Sequence, residues 1–126
     1  MRKNISAIVV DDDPDMVDII TELLDLKGVN VIAKGYDGND AVAAYKILKP
    51  DIVFLDLMMD NYDGFFALEN IRKDNPNAKV VIITADIRKE TNEKLTKLNP
   101  TKVFHKPLEI DQIVNLLETF DDFKES

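Results

Sequence analysis

Apolar residues in this chain fall into short β-branched runs separated by stretches with helical spacing. Ile5–Val10, Val29–Ala33, Ile52–Leu55, Val80–Ile83 and Thr101–Phe104 read as five strands. Between and after them, apolar side chains recur every three or four residues. Met16, Ile19, Ile20, Leu23 and Leu24 predict one helix face, and Ala41, Ala44, Tyr45 and Leu48 a second. Phe65, Leu68 and Ile71 predict a third, and Ile110, Ile113, Val114 and Leu117 the last. The segment from Ile87 to Leu98 is a weaker helix, with sparse apolar positions (Ile87, Thr91, Leu95, Leu98) on a highly charged surface.

The punctuation agrees with this division. Asp13 suits an N-cap, Pro14 the first helical position and Asp15 the positive helix end, while Gly28 is a natural C-terminal cap. Asp37-Gly38-Asn39 reads as a turn, Pro50 ends the helix before it, and the acidic tail Asp121–Ser126 is expected to fray. Phe65, Phe66 and Phe120 are core candidates. Five strands alternating with five helices imply a doubly wound α/β sandwich with a parallel sheet and helices on both faces.

In such sheets ligands bind beyond the carboxyl ends of the strands, at the switch point. Here those ends read Asp11-Asp12, Asp56, Thr84 and Lys106. Asp56 directly follows the apolar run Ile52-Val53-Phe54-Leu55, and Asp11 to Asp13 follow the first strand. Three carboxylates against one ammonium leave two negative charges, which one divalent cation would cancel. Oxygen-only donors suit a hard cation such as magnesium, and one carboxylate is then available as a nucleophile. Asp13 is more simply a helix cap, and the lone His105 a structural or exposed residue.

Composition narrows the function. At 126 residues the chain is one domain, read here as 1–126, and its net charge of −8 leaves no basic stripe. Lys94 and Lys97 are too few to form one, so neither direct nucleic-acid binding nor an anionic membrane is expected. Without cysteine there is no disulfide framework, thiolate zinc site or cysteine nucleophile. No signal-length or membrane-length apolar stretch occurs, and the chain reads as cytoplasmic. A domain cut from a longer protein would read the same way.

The motifs Val9-Val10-Asp11-Asp12, Pro50-Asp51 through Met58, Asp63-Gly64, Ile83-Thr84-Ala85 and Lys106-Pro107 together resemble the receiver domains of two-component response regulators. The resemblance covers nearly the whole chain and implies a flavodoxin-like sandwich with strand order 2-1-3-4-5. It makes Asp56 the phosphoryl acceptor. Asp12 would ligate magnesium (or manganese), Asp11 would place a metal-bound water or an outer contact, and the Met58 carbonyl would supply another ligand. Thr84 would hydrogen-bond the phosphoryl group and Lys106 would pair with it, ahead of a cis bond to Pro107. The phosphoryl group would come from a sensor histidine kinase or phosphotransfer protein. A downstream protein would bind the surface at about Ile87–Phe120, and the domain would act as a monomer or a phosphorylation-linked dimer. It would catalyse only its own phosphorylation and dephosphorylation.

Two positions depart from the family pattern. Asp60 stands where a proline is usual, and Val103 where an aromatic residue is common; Phe104, one residue on, should point to the opposite face. Asn99-Pro100 replaces a small-residue pair. These departures keep open a receiver-like binding module that does not use phosphorylation. A haloacid-dehalogenase-like phosphatase is disfavoured by Met58, where a second acid would be needed. A flavin carrier is disfavoured by the absence of a phosphate-cradling loop after the first strand.

Overall fold

The computed structural model describes residues 4–125. Its five strands are β1 (Ile5–Val10), β2 (Val29–Gly35), β3 (Ile52–Leu55), β4 (Val80–Thr84) and β5 (Lys102–His105). They form one parallel sheet in the order β2-β1-β3-β4-β5. The helices are α1 (Pro14–Leu26), α2 (Gly38–Leu48), α3 (Gly64–Asp74), α4 (Lys89–Leu98) and α5 (Ile110–Glu125). This is the flavodoxin-like, doubly wound sandwich, in the order the resemblance implied.

Strand alternation divides the core in two. Val9, Phe54, Ile83 and Phe104 face α1 and α5, where Val17, Leu24 and Ile113 meet them. Val10, Leu55 and Ile82 face the other way, against Tyr45 of α2, Leu68 of α3 and Leu95 of α4. All four residues of β3 are buried, which accounts for its unbroken apolar run. Each large side chain buried this way stabilises the fold by roughly 1.5–3 kcal/mol.

Local chemistry fixes the helix ends. Asp13 caps α1 by accepting the Asp15 amide, with Pro14 opening the helix, and Gly28 lies just past its end at φ 83°. Asp63 caps α3 through the Phe66 amide. Lys49 and Asn99 close α2 and α4 in the left-handed region.

Several expectations need correction. Asp37-Gly38-Asn39 is the start of α2 rather than a separate turn, because the Asp37 carboxylate accepts the Asp40 amide. Ile19 and Leu48 are exposed, and Val17 takes the core position on α1. Ile87 precedes α4 and is 80% exposed. β2 runs two residues further than expected, and β5 is shifted one residue toward the C-terminus. Phe65 and Phe66 are half-buried beside the core, and the side chain of Phe120 lies outside the described residues. α5 runs as far as Glu125, and Ser126 lies outside the described residues.

Candidate acidic site at the sheet edge

The ends of β1 and β3 sit side by side because Val10 pairs with Leu55. The Asp56 amide donates to the Val10 carbonyl at 3.0 Å, and the Asp11 amide to the Gly35 carbonyl at 3.2 Å. Each aspartate is thus one residue beyond its strand, held by a backbone hydrogen bond that continues the sheet. Asp11 and Asp56 are buried while Asp12 is exposed. Ligand oxygens of all three lie within 4.8 Å of one another.

β5 supplies the opposing charge. The Lys106 amide donates to the Thr84 carbonyl at 2.9 Å, extending the β4–β5 pairing by one step. Its Nζ lies 2.8 Å from Asp11 Oδ2 and 3.6 Å from Asp56 Oδ2. The Lys106–Pro107 bond is cis. Burial pulls the lysine toward deprotonation, but the hydrogen bond to Asp11 and the charges of Asp56 and Asp11 outweigh it and raise its pKa.

Asp56 has its pKa pushed up to about 6. Burial is the largest cause and the Asp11 charge the next; Lys106 and the backbone amides of Leu57 and Met58 pull it part of the way back. A proton or a cation at this edge would relieve the same repulsion. The donor set, carboxylate oxygens from three aspartates, fits a hard divalent ion.

Thr84 ends β4 fully buried, with its Oγ1 accepting the Asp86 amide at 3.1 Å. Asp86 was not singled out from the sequence, yet it organises the loop into α4. Arg88 grips it through Nη2 at 2.7 Å and Nε at 3.0 Å, and the Thr91 hydroxyl donates to it at 2.7 Å. The signal was an aspartate just before a helix whose own N-cap, Arg88, makes no side-chain cap. Met58 lies in the loop after Asp56, its side chain half-exposed; Asp60 is exposed, and Asn61 is left-handed at φ 62°. Val103 packs toward the α2–α4 face and Phe104 toward α1 and α5, as strand alternation required. His105 is exposed.

Topology and site together define a doubly wound α/β domain with a carboxylate cluster and one lysine at its switch point. Residues 7–118 match the family described as the response regulator receiver domain, and the chain belongs to that family. Such domains serve phosphorylation-dependent signalling in two-component systems. The chemotaxis protein CheY of Thermotoga maritima is 30% identical over 111 residues, which cover 88% of this chain and 92% of that protein. The response regulator protein VraR of Staphylococcus saprophyticus is 43% identical over 84 residues, 65% of this chain and 39% of VraR. The chain spans 39%, 47% and 55% of three curated relatives that it matches. Among solved structures, the CheX–CheY–BeF3–Mg complex from Borrelia burgdorferi contains a similar chain, with a TM-score of 0.85 and 28% identity. That likeness covers 92% of this chain and 89% of the other. Among the described residues, no helix is long and apolar enough to cross a membrane.

Proposed function

We propose that this domain, residues 1–126, is a cytoplasmic switch that accepts a phosphoryl group on Asp56 from a sensor histidine kinase or phosphotransfer protein. The observation that carries this reading is the Asp11–Asp12–Asp56 cluster faced by Lys106. Asp56 is buried enough to be shielded from bulk water and sits just past the carboxyl end of the central strand β3, beside the exposed Asp12. Its carboxylate oxygen attacks phosphorus, the bond from phosphorus to the donor nitrogen breaks, and the leaving imidazole keeps that electron pair and takes a proton. The product is an acyl phosphate on Asp56.

Asp11, Asp12, Asp56 and the Met58 carbonyl would hold magnesium, with manganese as a substitute. Bound there, the cation supplies charge neutralisation for the carboxylates and the incoming phosphoryl oxygens. Lys106 moves its interaction from Asp11 toward the new dianion. Thr84 keeps its oxygen on the Asp86 amide and can still donate its hydroxyl proton to the phosphoryl group. That links the added charge to the loop ahead of α4, and so to a downstream protein on the surface at about Ile87 to Phe120. The domain works as a monomer or as a phosphorylation-linked dimer.

The test is intact-protein mass after incubation with acetyl phosphate, with and without magnesium. A single magnesium-dependent phosphoryl adduct, absent in Asp56→Asn, supports the reading. Absence of the adduct from folded, magnesium-bound protein would favour a binding module independent of phosphorylation.

A further inference from the structure

The loop between Asp56 and α3 contains no proline and has the exposed Asp60 followed by Asn61 in the left-handed region, so its own sequence gives it little rigidity. Two glycines hold it from outside. At its base, the Gly64 amide donates to the Leu57 carbonyl at 3.0 Å, and a Cβ on Gly64 would come within 2.7 Å of Leu57 Cα and closer still to the Asp56 carbonyl. At its tip, the Gly38 amide donates to the Tyr62 carbonyl. A Cβ on Gly38 would lie 2.7 Å from the Tyr62 oxygen and nearer to that of Asp63. Both are backbone-on-backbone approaches that only glycine permits.

Gly38 is itself well anchored. It is the first residue of α2, whose start is fixed by Asp37 accepting the Asp40 amide at 2.8 Å. Asp40 in turn accepts the Tyr36 amide at 2.9 Å, and the neighbouring end of β2 accepts the Asp11 amide through Gly35. The tip of the acceptor loop therefore rests on the same strand end that aligns Asp11.

We propose that Gly38 is a positioning residue of the acceptor site: its missing side chain lets α2 seat the Tyr62–Asp63 backbone, and that seat holds the Met58 carbonyl in place for the cation. The inference rests on the reading of the carboxylate cluster as a magnesium site. Coupling of this kind is reciprocal, so bound magnesium must also tighten the Gly38–Tyr62 contact.

Gly38→Ala should weaken magnesium binding by about tenfold or more, the range for groups that orient metal ligands from behind. Its phosphorylation should need correspondingly more magnesium to reach half of its maximal rate. Leu24→Ala, in the core on the other face of the sheet, destabilises the domain too and should leave magnesium affinity unchanged. Equal magnesium affinity in folded Gly38→Ala and the unaltered protein overturns the proposal. Should Gly38→Ala fail to fold, amide exchange in the unaltered protein decides. Magnesium must slow exchange at Gly38 along with Leu57 and Met58, and a Gly38 amide that ignores magnesium overturns the proposal. Failure of the unaltered protein to bind magnesium at all would instead remove the metal-site reading, and this inference with it.

Discussion

Lys106 lies closer to Asp11 than to Asp56, at 2.8 Å against 3.6 Å, so the lysine expected to meet the phosphoryl group is first a partner of the neighbouring carboxylate. This has an energetic consequence. The lysine is one-fifth exposed and both aspartates are almost wholly buried. Removing it leaves two carboxylates facing each other with no cation between them. Lys106→Ala should therefore cost about 1–3 kcal/mol of folding stability without magnesium, less than a fully buried pair because water reaches the lysine. In an Asp11→Asn background the loss should shrink, and a double-mutant cycle in urea measures the coupling. Equal losses in both backgrounds would mean that the pair carries no net interaction.

The raised pKa of Asp56 gives the domain a signed response to pH. Its folded-state value of about 6 lies above the ordinary 3.8, so the folded chain binds this proton more tightly than the unfolded one. The charged form costs stability, and that cost develops as pH rises from about 4 to about 6 and is complete above that. Asp56→Asn should be more stable than the unaltered protein at pH 8 by roughly 1–3 kcal/mol, from 1.36 kcal/mol per pH unit with allowance for partial hydration. The advantage should vanish near pH 4. Urea denaturation across this range without divalent cations checks both ends.

Magnesium affinity should move the opposite way. A proton on Asp56 competes with the cation, so binding weakens as pH falls through 6. Titration calorimetry at pH 5 and pH 8 should show tighter binding at the higher pH, with proton release on binding at pH 5 and little at pH 8.

Asp86 is a separate control point. The Arg88 hydrogen bond, then that of Thr91, hold its carboxyl well below the usual range, and Thr91 and Leu95 are the only buried residues of α4. Arg88→Ala should loosen this helix more than it lowers global stability. Hydrogen exchange should quicken across residues 86–95 while the thermal midpoint changes little; unchanged exchange there would show that the contact does not restrain α4.

Phe104 and Val103 should separate stability from signalling. Phe104 is buried against the α1 and α5 side, so Phe104→Ala should cost roughly 3–5 kcal/mol. Val103 lies half-buried on the α4 side, nearer the surface assigned to output. Val103→Ala should alter partner binding while leaving the phosphorylation rate of Asp56 unchanged.

Much of this was legible along the chain because burial and local chemistry pointed the same way. The bounds of β3 follow from the sequence, since four consecutive apolar residues come after Pro50-Asp51 and precede a carboxylate. The start of α1 was plain from Asp13 and Pro14. Spacing alone failed where two apolar residues are adjacent. Ile19 and Ile20 both satisfy a helical repeat, but successive side chains turn by about 100°, and only Ile20 faces inward. The Asp37–Asn39 segment has the composition of a turn and the hydrogen bonding of a helix start, a choice made by Asp40. At the site, strand ends alone placed Asp11, Asp12, Asp56 and Lys106 near one another. The preference of Lys106 for Asp11, the grip on Asp86 and the seat at Gly38 depend on distances between elements, which no run of residues encodes locally.

The most direct test of Asp56 as acceptor is borohydride trapping after exposure to acetyl phosphate and magnesium, followed by peptide mass mapping. Reduction converts an aspartyl phosphate to homoserine and so marks the residue that carried it. Homoserine at position 56 alone, dependent on both phosphodonor and magnesium, is the predicted result. Homoserine at Asp11, Asp12 or elsewhere, or none in a folded protein that binds magnesium, would contradict it.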